Sequence, residues 1–350
     1  MTKIKIGKTK IGKNEPCFVV AELSGNHDGK LSNAIRLVRV AAKAGVNAIK
    51  LQTYTADTIT LNTNKKDFVI PGNSPWKKNE NFWKLYNKAH TPWEWHKKIF
   101  KEAARLKLEV FSSPFDESAV DFLEKINCPA YKVASPEINH LPLIEKIAKT
   151  KKPIIISTGL ASLKEIDEAV KLIHKCGNHK IMILKCTTSY PAEFKDLNLN
   201  SMLTLQKKFN KIVGFSDHTK GITAALAATA IGAKIIEKHL KLKHQKSVDD
   251  FFSLDEKKFK DLVRGIRDVE KILGSKEYSI SKSSEKHLVG KRSIYVSKKI
   301  KKGEKIDIDN IKVVRPNKSL LPKFYKKILG LRVTKNLDIG DRLRFNILKK

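Results

Sequence analysis

Short apolar runs alternate with amphipathic segments along residues 17–275, and each run ends in polar residues. In the amphipathic segment at 33–45 the apolar residues recur at helical spacing, and Gly45 stands at the expected C-cap. Ser162 and Glu165 have the spacing of a capping box at the start of another helix. Eight strand–helix units predict a (β/α)8 TIM barrel. The predicted strands are 18–23, 48–52, 108–113, 131–135, 153–158, 181–187, 212–217 and 235–239.

A doubly wound open sheet is the competing architecture. It needs fewer strands and usually has a glycine-rich first turn, but residues 22–27 read E-L-S-G-N-H, with no G-x-G-x-x-G. The second loop, residues 53–90, is too long for a simple turn, so we predict an insertion over the barrel mouth, acting as a lid.

The pattern changes after the last predicted helix. Residues 276–290 are polar and serine-rich and are interpreted as a linker, which leaves 1–275 as the barrel domain. Residues 291–350 have short β-like runs and two similar turns, at 300–306 and 337–343. We therefore predict a small β-rich C-terminal domain.

Composition changes this interpretation only slightly. The 350 residues have a formal net charge of +34, yet ten residues are arginine and the lysines are scattered. Arginine is the residue that binds phosphates and bases through paired hydrogen bonds. Because arginine is scarce here, we expect a solvated lysine-rich surface and no nucleic-acid binding. The longest apolar stretch, 222–233, is too short to cross a bilayer. We also expect no signal peptide and, because no C-x-x-C occurs, reduced cysteines in a cytoplasmic protein.

Candidate chemistry lies at the strand ends, because the C-terminal ends of barrel strands share one face. His218 and His239 follow two consecutive strands, so both imidazoles should reach the same rim, which outlines a metal site. Lys50 and Lys132 interrupt apolar runs, where a lysine is costly unless it faces a charge. With nearby serines they could cradle a phosphate or carboxylate, although each could instead snorkel or pair with a carboxylate. The other strand-end candidates are Glu22, Ser113, Ser135, Ser157, Thr188, Tyr190, Ser216 and Glu237.

Eight motifs, in order along nearly the whole chain, resemble the sialic acid synthase family. Among them are A-E-L-S-G-N-H-D-G, Y-K-V-A-S-P-E, L-K-C-T-T-S-Y-P-A and G-F-S-D-H-T-K-G. The C-terminal domain is similar to that family's SAF, or antifreeze-like, domain, which is β-clip-like. The runs Q-T-Y-T-A-D-T-I-T-L, H-T-P-W-E-W-H and V-D-D-F-F-S-L look most like the pseudaminic acid synthases of the family.

The resemblance implies an enzyme that condenses phosphoenolpyruvate with 2,4-diacetamido-2,4,6-trideoxy-altrose. The products would be pseudaminate and phosphate. It also implies a divalent metal, Mn²⁺ or Mg²⁺, and a domain-swapped homodimer.

Roles for individual residues are carried over by motif. His218 and His239 match the metal ligands, and Arg315 matches an arginine that the partner's SAF domain extends to the sugar. Glu22 and Asp249 match groups at the sugar or the reacting centre, and Glu237 could stabilise the cation that develops. The residues that match phosphoenolpyruvate ligands are Lys50, Lys132, Ser135, Ser157 and Ser216.

Alternatives remain open. Leu240 and the Asp250–Phe251 pair depart from the family pattern, so the sugar could instead be N-acetylmannosamine or a legionaminate precursor. A non-catalytic SAF-domain binding protein and a Schiff-base aldolase using Lys132 are further hypotheses.

Overall fold

The computed structural model describes residues 3–350, and the chain divides into two compact units between Gly274 and Ser275. The first unit is a closed barrel of eight parallel strands, which confirms the predicted fold class. The last strand closes the barrel by pairing with the first, with His239 opposite Glu22. The barrel strands are β3 Phe18–Glu22, β4 Ala48–Thr53, β5 Glu109–Pro114, β6 Tyr131–Val133, β7 Ile154–Ser157, β8 Ile181–Cys186, β9 Ile212–Asp217 and β10 Ile235–His239.

Helices surround the barrel with their apolar faces inward. The Ser162–Glu165 capping box forms as predicted, and Gly45 caps the first helix with φ +83°, a backbone conformation that favours glycine. The surrounding helices are α1 Leu31–Ala44, α4 Trp93–Arg105, α5 Glu117–Lys125, α6 Leu141–Lys149, α7 Leu163–Lys175, α8 Ser201–Phe209, α9 Thr223–Ala230 and α10 Glu256–Leu273.

A short N-terminal hairpin, β1 Ile4–Ile6 and β2 Thr9–Ile11, was not predicted. The Glu109 carboxylate, at the start of β5, accepts hydrogen bonds from the backbone N–H groups of Lys8 at 2.7 Å and Thr9 at 3.1 Å. Ile6 and Ile11 are fully buried. The hairpin therefore packs at the N-terminal end of the strands, opposite the predicted site.

The long second loop is an insertion with structure of its own. It contains α2 Ala56–Ile59 and α3 Phe82–Ala89, with 3-10 turns at Lys66–Phe68 and Lys77–Asn79. Asn81 caps α3 by accepting a hydrogen bond from the backbone N–H of Lys84.

The second unit has its own apolar core. Its elements are α11 Lys282–Glu285, β11 Ser293–Val296, β12 Ile311–Val314, α12 Tyr325–Ile328, β13 Arg332–Val333 and β14 Leu348–Lys349. The two similar turns meet, because Ile300 pairs with Leu337 in an antiparallel bridge. Short α11 falls inside the segment that we predicted as a linker. Within residues 3–350, no helix is long and apolar enough to cross a membrane.

Candidate active site

A cavity of about 420 Å³ opens at the C-terminal ends of the barrel strands. The barrel brings together side chains that lie far apart in the sequence, because each strand delivers its last residues to this face. The predicted site residues that line it are Lys50, Lys132, Ser135, Ser157, Thr188, Tyr190, Ser216, His218, Glu237, His239 and Asp249.

The floor of the cavity is formed by Lys50, Lys132 and Glu237, with Glu22 directly behind them, and these two carboxylates and two ammonium groups are each no more than 4% exposed. Lys50 Nζ lies 2.5 Å from Glu22 Oε2 and 3.8 Å from Glu237 Oε1. Lys132 Nζ lies 3.2 Å from Glu237 Oε1. Buried charges are tolerated when each faces an opposite charge, so the two lysines are paired and do not snorkel. Glu22 and Ser113 do not line the cavity; both contact Lys50, with Ser113 Oγ 3.3 Å from its Nζ.

The two floor carboxylates have opposite pKa shifts. Burial raises the pKa of Glu22, and the neighbouring Glu237 charge adds to the effect despite Lys50. Burial also acts on Glu237, but Lys132 and Lys50 together hold its pKa below the ordinary value. Burial lowers the pKa of Lys132. Pairs of titratable groups whose pKa values are shifted in opposite directions are typical of acid–base sites. Here the raised pKa lets Glu22 hold a proton, and the lowered pKa keeps Glu237 ionised.

Hydroxyl groups complete the floor. Ser216 Oγ donates to Glu237 Oε1 at 3.2 Å, and Ser135 Oγ accepts from the backbone N–H of Gly159 at 3.0 Å. Ser157 Oγ and Glu237 Oε2 are buried without a hydrogen-bond partner among residues 3–350. Unpaired buried polar atoms are costly, so they indicate a site that a polar ligand completes.

Gly159 keeps this floor open. A Cβ at this position would lie 2.2 Å from Thr188 Oγ1 and 3.1 Å from Ser135 Oγ. Any side chain would therefore displace two of the hydroxyl groups that line the cavity.

The two imidazoles lie together as predicted, with 5.4 Å between the ring centroids. In both rings the hydrogen bonds are made by Nδ1: His239 Nδ1 lies 3.2 Å from Ser24 Oγ, and His218 Nδ1 lies 3.0 Å from the Thr187 carbonyl oxygen. Nε2 of each ring is thus the atom left for a ligand. Burial, with the charge of His218, holds the pKa of His239 well below its ordinary value, so this ring is neutral.

These residues fit a divalent ion with two protein ligands. Residues 3–350 contain no group of three or more His, Cys, Asp or Glu side chains placed to hold a metal. An ion held by His218 and His239 would keep several coordination positions for water or substrate, as octahedral Mn²⁺ does. The unpaired Glu237 Oε2 could accept a hydrogen bond from such a water.

An aromatic wall faces the imidazoles. Its cavity-lining rings are Trp76 from the insertion, Tyr190 from the loop after β8 and Phe252 from the loop after β10, and Phe251 packs against Trp76 and Phe252. The ring of Tyr190 lies 4.5 Å from that of His218 and 5.3 Å from that of Trp76. Phe252 lies 4.7 Å from the ring of His239.

Asp249 lies beside the aromatic wall. Burial raises the pKa of its carboxyl group, although hydrogen bonds from Ser24, Gly25 and Trp76 oppose the shift. Asp249 therefore adds a buried carboxyl group to the cavity lining beside Trp76.

Several residues in and around this site are not strand-end residues and were not predicted from the sequence. Glu137, on the 3-10 turn Ser135–Asn139, has a carboxyl oxygen buried without a partner among the described residues, and burial raises its pKa to about 7. The available signal was its place in the motif Y-K-V-A-S-P-E, two residues after Ser135. Trp76 and Phe252 were missed because neither follows a strand directly.

Arg315 lies in the second unit, at the end of β12. It is exposed and flanks a concave surface that is also lined by His287, Lys291 and Arg292. This surface carries several positive charges and no carboxylate among its lining residues.

Comparison with known proteins gives consistent matches. The family model of the NeuB family matches residues 37–278, and that of the SAF domain matches residues 291–348. The chain is 44% identical over 331 residues to the pseudaminic acid synthase of Helicobacter pylori, covering 94% of this chain and 97% of that protein. It is 43% identical over 328 residues to the pseudaminic acid synthase of Campylobacter jejuni, covering 93% and 95%. The solved N-acetylneuraminic acid synthetase of Leptospira borgpetersenii is 32% identical, with a TM-score of 0.72 over 82% of this chain and 95% of that one.

Proposed function

The chain belongs to the NeuB family, and we propose that it is a pseudaminic acid synthase. The reaction joins phosphoenolpyruvate to 2,4-diacetamido-2,4,6-trideoxy-altrose and consumes one water, giving pseudaminate and phosphate. The observation that supports the chemistry is the buried floor, where two lysines and three serine hydroxyl groups, that of Ser157 without a partner among residues 3–350, share one cavity with two imidazoles. The similarity to pseudaminic acid synthases over nearly the whole chain supports the choice of the diacetamido sugar as the second substrate.

The floor suits phosphoenolpyruvate, which carries a phosphate and a carboxylate. Lys50 and Lys132 supply positive charge, while Ser135, Ser157 and Ser216 supply hydroxyl donors. Ser157 Oγ has no partner within residues 3–350 until a ligand arrives, so its hydrogen bond favours binding directly. The floor would thus hold both anionic groups of phosphoenolpyruvate.

The bond-forming step joins carbon 3 of the enol to the aldehyde carbon of the open-chain sugar. A Mn²⁺ or Mg²⁺ ion on His218 and His239 would supply Lewis-acid polarisation of that aldehyde oxygen. Positive charge then develops at carbon 2 of the former enol, where the ionised Glu237 stabilises it. Water adds to carbon 2, and the carbon–oxygen bond to phosphate breaks.

Proton transfer needs groups that exchange protons near neutral pH. Burial raises the pKa of Glu137 to about 7, so this group can hold and release a proton near neutral pH. Burial also raises the pKa of Glu22 above its ordinary value. Glu137 faces Lys132 and Lys50, whose charges act on its carboxyl group. Because neither carboxyl group lines the cavity, the proton of the attacking water would reach them through the buried network of the floor.

The proposal extends to the assembly. A domain-swapped homodimer, in the cytoplasm, would let Arg315 of one copy contact the sugar in the site of the other. The exposed, positively charged surface around Arg315 suits a carbonyl or carboxylate acceptor.

The proposed function is tested by phosphate release from phosphoenolpyruvate with Mn²⁺. We expect release with the diacetamido sugar and little with N-acetylmannosamine. Release with N-acetylmannosamine alone would move the enzyme to neuraminate synthesis, and release with a legionaminate precursor alone would favour that alternative. Borohydride with pyruvate should leave Lys132 unmodified, because the proposed mechanism forms no Schiff base.

A further inference from the structure

The aromatic wall is assembled from three separate segments of the chain, whereas the floor comes from the barrel strands. Trp76 belongs to the insertion, and its ring contacts Tyr190 at 5.3 Å and Phe251 at 5.7 Å between centroids. The insertion therefore contributes directly to the cavity surface and does more than cover it. A side chain at this junction can decide which sugars fit.

The face of the Trp76 ring is apolar, because the polar edge of the ring is already used. Its indole N–H donates to the Val248 carbonyl oxygen at 3.0 Å and lies near the Asp249 carboxylate. The ring thus presents carbon atoms to the cavity. A hydroxyl group that reached this surface would lose its water and find no partner on Trp76.

The order of the rings, starting from the imidazoles, indicates which part of the sugar contacts the aromatic wall. The rings of His218, Tyr190 and Trp76 follow one another, with His218 at the imidazole end. If the aldehyde lies at the imidazoles, the far end of the hexose extends toward Trp76. Acetamido groups carry an N–H and a carbonyl that need partners, whereas the deoxy carbon at position 6 is a methyl group.

We propose that Trp76 is a specificity-determining residue that selects sugars with a methyl group at carbon 6 over those with a hydroxymethyl group. This inference rests on the proposed function and adds to it the residue that contacts the deoxy carbon at position 6 of the sugar. An apolar pocket rejects an added hydroxyl only moderately, so the expected discrimination is roughly 10- to 100-fold in kcat/KM.

The test compares 2,4-diacetamido-2,4,6-trideoxy-altrose with its 6-hydroxy counterpart in four full-length proteins: the unsubstituted enzyme, Trp76→Ala, Trp76→Phe and Trp83→Ala. Trp83 is a matched control, because it lies in the same insertion and donates its indole N–H to Asp57 at 2.8 Å but does not line the cavity. The readout is the ratio of the two kcat/KM values, which does not depend on the fraction of folded enzyme.

We expect Trp76→Ala to reduce the ratio to less than about threefold, because water can then solvate the hydroxyl. Trp76→Phe keeps an aromatic face and should retain most of the preference, as should Trp83→Ala. An unchanged ratio in Trp76→Ala, an equal loss in Trp83→Ala or Trp76→Phe, or no preference in the unsubstituted enzyme would overturn the inference. An unsubstituted enzyme that turns over neither diacetamido sugar would contradict the proposed function itself.

Discussion

The floor and the aromatic wall of the cavity are built in different ways. The floor consists of charged and hydroxyl-bearing side chains at the ends of barrel strands, and its lysines and carboxylates are almost fully buried. The wall consists of rings from an insertion and two loops. Strands fix positions more closely than loops do, so the floor suits bond-making chemistry and the wall suits the choice of sugar.

The largest expected effect comes from the imidazoles above the floor. His239→Ala removes one of two predicted metal ligands, and with a single ligand remaining we expect Mn²⁺-dependent turnover to disappear while the fold is retained. Phosphate release over a Mn²⁺ titration measures the effect, with circular dichroism as the folding control. Activity that is restored fully by added Mn²⁺ would contradict the metal assignment.

The next effect tests the charge of the floor. Glu237→Gln keeps the shape of the side chain but removes the negative charge that faces the developing cation, so kcat should fall roughly 100- to 1,000-fold. The change leaves Lys132 without its carboxylate partner, so thermal stability must be measured with kcat.

Lys238→Met is a matched control for that variant. Lys238 and Asp217 form an equally buried ion pair at 2.8 Å, but neither residue lines the cavity. Removing the ammonium group should destabilise the fold by about 3–5 kcal/mol and leave kcat per folded molecule unchanged. If Lys238→Met lowered kcat as much as Glu237→Gln does, the loss in Glu237→Gln would reflect the breaking of a buried ion pair and not a specific role of Glu237.

A smaller effect is expected from the second unit. Arg315→Ala should raise the KM for the sugar roughly tenfold, because one charged hydrogen bond is lost, and should leave the KM for phosphoenolpyruvate unchanged. Arg332→Ala is the control, since its guanidinium donates to the Gly303 carbonyl oxygen within the same unit. Equal changes in both KM values would count against a role at the sugar.

The last prediction concerns stability rather than activity, and it involves pH and the base of the insertion. Burial lowers the pKa of His27 and of His96 to about 4, and these rings contact Thr91 and Thr53. Because the folded-state pKa lies below the unfolded value, the unfolded chain binds protons first. Stability is therefore complete above about pH 6.5 and falls toward pH 4, by at most about 3 kcal/mol per histidine.

Melting temperatures between pH 7.5 and pH 5 measure this dependence. His96→Gln should lower the melting temperature at pH 7.5 but flatten its decline in acid. A decline as steep as that of the unsubstituted protein would mean that other groups carry the acid sensitivity.

The same contrast explains how much could be predicted from the sequence. The barrel and the residues of the floor were accessible because parallel strands end on one face, so polar residues after apolar runs converge. The hairpin β1–β2 was missed because each of its strands has only three residues, too few to recognise the alternation of inward and exposed positions. Glu137 lies on a 3-10 turn beyond the strand end, so its only signal was the motif that it shares with Ser135. Trp76 reaches the cavity through contacts distant in sequence, which leave no local pattern.

The most direct test of the division of roles measures kcat/KM for the 6-deoxy sugar and its 6-hydroxy counterpart in Glu237→Gln and Trp76→Ala side by side. The account predicts that Glu237→Gln lowers both values by the same factor, and that Trp76→Ala mainly changes their ratio. A changed ratio in Glu237→Gln, together with an equal loss on both sugars in Trp76→Ala, would contradict the separation of a chemical floor from a sugar-selecting wall.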